Sequence, residues 1–358
     1  MNPAGSAQTT HPEEGPINRR IARLLVMLPS WVGDVVMATP VLRALREILP
    51  QTRITGVMRP GLDTLLTGSP WLDETIVHRN RGLRGPWQLA RAIRRSQPQV
   101  GLLLPNSFRS ALALRLSGCP IRIGYGRDGR SMLLTHAPAP PDRSAPSPTI
   151  DYYAQLAATA LGVAEIDRTM HLACTAEEQA AADELLRGIE GRFIILNPGA
   201  SKRPKRWPAQ HFAAVGDALA AAHDVRVVVN GSPAEAAVVA EVIAASRSAE
   251  AFVNLVERGV GLGSLKAVID RSSLMITNDT GPRHIAAAMG TPIVSLFGPT
   301  DHRWTLLPGV TERRLLAEPF LPEQLAADDH AEACDIARIR PGDVIAAASE
   351  LLESAPIS

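Results

Sequence analysis

The chain begins with a polar stretch, residues 1–18, that holds Gly5, Ser6, Pro12 and Gly15 without periodic apolar positions, which predicts a disordered tail. Beyond it, short apolar runs alternate with segments of helical spacing. Ile21 to Leu28 reads as a buried strand, and Val35 to Leu49 carries apolar residues at helical intervals up to Pro50. The unit recurs with a strand at Arg53 to Met58, a helix at Trp87 to Arg95, a strand at Val100 to Leu104 and a helix at Ser110 to Leu116. Ala137 to Pro148 is dense in proline and predicts a loop, after which Tyr152 to Leu161 resumes a helix. Further strands are expected at Phe193–Asn197, Val225–Asn230, Leu274–Thr277 and Ile293–Phe297, between alanine-rich helices.

Such alternation predicts parallel sheets with crossover helices. A length of 358 residues exceeds what one core usually organises. The expectation is an α/β protein of two Rossmann-like domains, 19–180 and 181–358, with a boundary near 175–191 and the sheets facing each other across a cleft.

Composition narrows the class. Apolar residues make up 46% of the chain and charged residues 20%, which is globular. No apolar run approaches the roughly 20 residues that cross a bilayer, and no apolar signal core follows the first Met, so a cytoplasmic location is expected. Cys119, Cys174 and Cys334 are odd in number and far apart, which indicates neither a disulfide framework nor a zinc site. The net charge of +1 conceals an asymmetry: residues 19–134 hold 18 arginines, no lysine and six acidic residues. That half suits phosphate or carboxylate partners, the alternative being a solvated face with no specific partner.

In open parallel sheets ligands bind outside the carboxyl ends of the strands, so the loops there carry the candidate chemistry. Pro29 to Asp34 follows the first strand and lacks Gly-x-Gly-x-x-Gly, which disfavours a nicotinamide cofactor. Gly33 would permit a tight turn, and Asp34 at a helix start suits an N-cap as well as a reactive carboxylate. Asn197 to Pro208 packs Lys202, Arg203, Lys205 and Arg206 into five residues after a strand, which fits a diphosphate or a basic surface loop. Thr277 to His284 runs from strand into helix, with Pro282 in the first turn and amides at Thr280 and Gly281 free to meet an anion. Asp279 and His284 are read either as ligand contacts or as a cap and a packing residue.

In order and spacing these loops resemble the marks of glycosyltransferase family nine, the lipopolysaccharide heptosyltransferases. The likeness spans nearly all of residues 21–354. Ser30-Trp31-Val32-Gly33-Asp34, Leu104-Pro105-Asn106-Ser107-Phe108-Arg109-Ser110-Ala111 and Lys205-Arg206-Trp207-Pro208 match the branch that adds the second core heptose, and Asn278-Asp279-Thr280-Gly281 with His284 matches the wider family. The resemblance implies a GT-B fold, with an N-terminal acceptor domain and a last helix, Pro341 to Leu352, able to pack back on it. It implies an ADP-heptose donor, a heptosyl-Kdo-lipid A acceptor at the inner face of the cytoplasmic membrane, transfer with inversion, and no nucleic acid partner.

By the same resemblance Asp34 is the general base, Lys205 contacts the diphosphate with Ser201 beside it, and Thr280 and Gly281 supply amides. Asp279 and His284 fall on the donor side, Glu235 at the ribose, and Asn106 and Arg109 on the acceptor side. No Asp-x-Asp occurs, so neither metal nor cofactor is implied. Pro282-Arg283 and the stretch Pro319 to Cys334 depart from the family pattern. The rival readings are another activity of the same family, sugar-nucleotide epimerisation, and a non-catalytic polyanion-binding protein.

Overall fold

A computed structural model of the chain describes residues 15–142, 146–317 and 334–354. The first sheet contains β1 (Arg23–Met27), β2 (Arg53–Met58), β3 (Glu74–Val77), β4 (Val100–Leu103) and β5 (Ile121–Ile123), ordered β3-β2-β1-β4-β5. A second sheet contains β6 (Phe193–Asn197), β7 (Arg226–Val229), β8 (Phe252–Asn254), β9 (Leu274–Asn278), β10 (Ile293–Phe297) and β11 (Glu312–Leu316), ordered β11-β10-β9-β6-β7-β8. Every pairing between these strands is parallel. The central strands are mainly apolar, with Arg23 and Asn197 only at strand ends, because helices cover both faces. The expected two-sheet α/β architecture is therefore present. Strand order reverses between β1 and β4 in one sheet and between β6 and β9 in the other, which creates a crevice at each carboxyl edge.

The expected helix over Val35 to Leu49 is two helices, α1 (Val32–Met37) and α2 (Thr39–Ile48), broken at Ala38. Pro40 causes the break, because it lacks an N–H and its ring would strike the Val36 carbonyl. The Thr39 hydroxyl donates to that carbonyl at 2.7 Å instead. The remaining N-terminal layers are α3 (Gly85–Ser96), α4 (Phe108–Leu116) and α5 (Thr149–Leu161), the last packed on α1 and α2. Of the tail expected to be disordered, residues 1–14 lie outside the described residues, whereas Ile17 is buried and its amide donates to the Ala160 carbonyl.

The next helix, α6 (Ala176–Leu185), packs on α9 (Leu262–Asp270) of the second domain, so the change of domain falls within 162–175, ahead of the expected boundary. Between them stand α7 (Ala209–His223) and α8 (Ala236–Ala245), followed by α10 (Gly281–Met289) and α11 (Pro341–Ser354). Helix α11 is the last helix that the resemblance allows to pack back on the N-terminal domain. It packs on α7 and buries Val344, Ala348, Leu351 and Leu352 in the C-terminal core, where Arg192 donates to the Leu352 carbonyl.

Two of the contacts that join the domains among the described residues stand out. Helix α1 meets α10 at a pair of glycines: a Cβ on Gly281 would lie 2.7 Å from Val32 Cβ, and one on Gly33 would lie 2.9 Å from His284 Nδ1. Gly33 thus serves close approach, not the tight turn expected from sequence, since it lies inside α1 and has no positive φ. At the second contact the buried Lys266 ammonium of α9 donates to the carbonyls of Leu65, Thr67 and Ala173 and pairs with Glu178 at 3.0 Å.

A methyl group at Gly33 has no room to enter, because the His284 ring is itself buried. Gly33→Ala is expected to cost about 1–3 kcal/mol in denaturant unfolding through overpacking, and to displace the carboxyl edges relative to each other. An unchanged unfolding midpoint would show that α1 and α10 are not held this closely.

Candidate active site

The register pairs Met27 with Leu103 and Asn197 with Thr277, so at each reversal two loops leave the sheet side by side. From β1 the chain passes through Trp31, which takes the N-cap position of α1 in extended conformation without a side-chain hydrogen bond. Asp34 is therefore in the first turn and not at the cap, contrary to the N-cap alternative. Its half-buried carboxylate accepts no hydrogen bond and forms no ion pair among the described residues. Burial without compensation pushes its pKa up to about 6. Trp31, 68% exposed beside it, offers an aromatic face at the edge of the crevice.

After β4, Ser107 caps α4 by accepting from the Ser110 amide. The Asn106 Oδ1 accepts from the Arg130 guanidinium at 3.1 Å and from the Tyr152 hydroxyl at 3.0 Å. Arg130 can only donate, which fixes the amide orientation and leaves Asn106 Nδ2 as a free donor. Arg130 is fully buried and also donates to the carbonyls of Tyr125 and Pro105. Arg109 donates to the carbonyls of Asn80 and Gly82, clamping the loop after β3 while its charge stays without a carboxylate among the described residues. Around it opens a cavity of about 290 Å³ lined by Ser30, Arg59, His78, Arg79 and Arg81. Of these, Arg59, His78, Arg79 and Arg81 carry no sequence signal, since they follow β2 and β3 in loops without a motif.

In the second domain a buried amide network shapes both loops. Asn197 Nδ2 donates to the hydroxyls of Thr277 and Thr280 at 3.1 Å each, and Asn197 Oδ1 accepts from Asn230. Asn278 Nδ2 donates to the Pro198 carbonyl at 2.9 Å, and Asn278 Oδ1 accepts from the Trp207 amide. Trp207 is fully buried and its indole donates to the Ile339 carbonyl, so within the basic motif it is an anchor. Ser201 is exposed and Lys205 half-buried, and neither has a side-chain partner among the described residues. The Glu235 carboxylate lies on the same loop: a Cβ on Gly199 would fall 2.1 Å from its Oε1, while Oε2 accepts from the Ser232 amide and hydroxyl.

Helix α10 starts at Gly281, with Thr280 extended at the N-cap and no side chain capping it. The amides of Thr280 and Gly281 donate to no group among the described residues and so remain open to an anion. Asp279 accepts from Arg283 at 3.2 Å, while Arg283, wholly buried, makes a two-pronged pair with Glu312 of β11 at 2.7 and 3.1 Å. Its guanidinium also lies 4.9 Å from the Phe297 ring centroid. Burial opposes ionisation of Glu312, but the contacts with Arg283 and Ser295 hold its pKa below the usual value. Arg283, a departure from the family pattern, thus becomes the support of Asp279.

Of the two readings the sequence offers for His284, ligand contact or packing residue, the structure shows the packing. His284 is 4% exposed, packed against Gly33, and its Nδ1 donates to the Thr280 carbonyl at 3.1 Å. Burial and the neighbouring Arg283 lower its pKa to about 4, so the ring is neutral near pH 7, with Nε2 shielded and unpartnered. In this arrangement of the domains it is an interdomain packing residue. Asp34, Asn106, Arg109, Ser201, Lys205, Glu235, Asp279, Thr280 and Gly281 all occupy carboxyl-edge loops or the first turns that follow them.

Removing Glu312 would leave a buried guanidinium without its main counter-ion. Glu312→Ala should therefore destabilise the fold by about 3–5 kcal/mol, and Arg283→Leu combined with Glu312→Leu should restore most of that. Urea unfolding of the three chains checks this, and equal losses in single and double variants would refute the pairing.

The profile of glycosyltransferase family 9 (heptosyltransferase) matches residues 86–317. Lipopolysaccharide heptosyltransferase 2 of Escherichia coli (strain K12) is 29% identical over 297 residues, covering 79% of this chain and 84% of that one. Among solved structures, E. coli ADP-heptose lps heptosyltransferase II superposes with a TM-score of 0.79 at 26% identity, over 93% of this chain and 100% of that one. The glycosyl transferase family 9 protein from Veillonella parvula DSM 2008 gives a TM-score of 0.85 at 23% identity, over 96% and 100%. With the GT-B fold shared along the chain and the family profile matching more than half of it, this protein belongs to glycosyltransferase family 9.

Proposed function

We propose that the chain is an inverting transferase that moves L-glycero-D-manno-heptose from an ADP donor to the heptosyl-Kdo-lipid A inner core of lipopolysaccharide, at the inner face of the cytoplasmic membrane. The observation that carries this reading is the joining of α1 to α10. It holds an unpaired, half-buried carboxylate on one carboxyl edge beside an anion-ready helix start on the other. The two E. coli matches named above are heptosyltransferases, one of them described with ADP-heptose, which supports the donor and acceptor class.

Asp34 removes the proton from the acceptor hydroxyl as its oxygen attacks the anomeric carbon and the bond to ADP breaks. With a β-linked donor and an α-linked product, one displacement suffices. A pKa near 6 makes the carboxylate a better base than an ordinary aspartate while it remains ionised at neutral pH. Lys205, Ser201 and the amides of Thr280 and Gly281 receive the charge that develops on the departing diphosphate. Asp279, fixed by Arg283, accepts from hydroxyls of the heptose, and Glu235 from the ribose. On the acceptor side the arginine-lined cavity takes carboxylate or phosphate groups, while Asn106 Nδ2 donates to an acceptor oxygen.

ADP release with ADP-heptose, compared with and without heptosyl-Kdo-lipid A, tests the whole reading. Acceptor-dependent release with a gain of one heptose is expected. Donor hydrolysis or epimerisation without an acceptor would overturn it.

Asp34→Asn should lower kcat by about 10²–10⁴-fold with ADP affinity unchanged. The parent's rate should fall about tenfold per pH unit below the pKa near 6. The same variant should be more stable. Because the folded pKa of about 6 lies above the ordinary aspartate value of 3.8, ionisation costs the fold on the order of 2–3 kcal/mol above pH 6, and the gain fades as pH falls from 6 toward 3.8. A substitution that lowered ADP affinity as much as turnover would remove Asp34 from the role of base.

Lys205→Ala should weaken ADP binding by roughly 10- to 100-fold, the worth of a charge-assisted contact, and should slow transfer as well. Titration of ADP by calorimetry reads the first effect, and unchanged affinity would place the diphosphate elsewhere.

A further inference from the structure

The large apolar side chains that remain exposed among the described residues are Trp31, Val77, Leu83, Trp87, Phe108 and Met132, all in the N-terminal domain. Leu83 and Trp87 stand out, at 97% and 66% exposed, on the approach to α3 and in its first turn. Arginines surround them. Residues 75–127 contain ten arginines and no Asp, Glu or Lys. On α3 itself a shallow groove is lined by Arg84, Trp87, Arg91, Arg94 and Arg95. Arg94 is occupied with the Leu116 and Ser117 carbonyls at the end of α4, but Arg84, Arg91 and Arg95 are exposed and form no ion pair among the described residues.

Both features are unusual for a surface that meets only water. A tryptophan and a leucine standing out from a helix invite an apolar partner, yet the ring of unpaired guanidinium groups requires that partner to be anionic. Structural use of the arginines does not explain them, because α3 buries its other face through Leu89, Ala90 and Ile93. Arg109 ties the start of α4, and with it the exposed Phe108, to the loop that leads to Leu83, so the surface is continuous with the rim of the arginine-lined cavity.

We propose that this corner, centred on Leu83 and Trp87 with Arg84, Arg91 and Arg95, docks the protein on the surface of a bilayer containing anionic phospholipids. The arginines engage lipid phosphates, while Leu83 and the Trp87 indole enter the boundary between headgroups and acyl chains. The side-chain composition carries the surface. Its use, holding the cavity mouth near an acceptor anchored by its own acyl chains, rests on the function proposed above. A nucleic acid would also meet the charge, but nothing in its backbone rewards Leu83.

Co-sedimentation with phosphatidylcholine vesicles, with and without phosphatidylglycerol, tests the docking without any acceptor present. The parent chain should partition to the mixed vesicles, and the binding should weaken with salt. Replacing Arg84, Arg91 and Arg95 together by Gln should reduce partition by roughly tenfold or more, since each cation near an anionic surface contributes about fivefold. Leu83→Ser with Trp87→Ser should also reduce it strongly. Trp87→Phe should remove most of the blue shift in tryptophan emission that vesicles induce in the parent. No partition by the parent, equal partition to neutral vesicles, or partition that survives both sets of substitutions would each overturn the proposal. RNA binding without vesicle binding would reassign the surface. Heptose transfer to a deacylated, soluble acceptor, read in parallel with circular dichroism, should be unaffected in these variants. Lost docking with intact transfer leaves the catalytic reading standing, and docking without transfer leaves the surface standing.

Discussion

Everything chemical in this protein depends on how closely α1 can approach α10. Each sheet alone presents an edge with half the groups that the proposed transfer uses. Glycines at 33 and 281 let Val32 and His284 fill the space that side chains would otherwise hold, and the helix starts meet across the domain boundary. The buried, neutral His284 contributes to that meeting, because burial and the neighbouring Arg283 together outweigh the nearby carboxylates and keep the ring uncharged.

Around this contact, polar side chains are used mainly to fix backbone. Asn197, Asn230, Asn278 and Thr277 spend their hydrogen bonds on one another and on the loop carbonyls, so that the groups left open are those at the crevice. The same division holds on the other side, where Arg130 and Tyr152 orient Asn106. Asp34 differs in kind: no group among the described residues satisfies it, and a group that burial destabilises in place is suited to taking a proton.

Much of this was legible from sequence, for identifiable reasons. Strands such as β6 and β10 are buried on both faces and read as largely apolar runs without strict alternation, so the alternation with helices exposed the fold class. β3 escaped because, at the sheet edge, its residues are alternately half-buried and exposed, and β5 has three residues. Pro40 was hidden within an apparently continuous helix because a proline is compatible with the first turn of the next one. The site loops were visible as small-residue and cationic clusters after strands. Their supports were not. Arg283 finds its main partner on β11, and Gly33 is required by a ring far away in the chain, and neither relation leaves a local pattern.

Lys266 gives the architecture a mechanical character. One ammonium, shut away from water, is bonded at once to the N-terminal domain through Leu65 and Thr67, to the crossing segment through Ala173, and to α6 through Glu178. Pulling the domains apart here would strand a desolvated charge, so this ammonium acts as a pin that resists separation of the two halves at the point where three segments of chain converge on it.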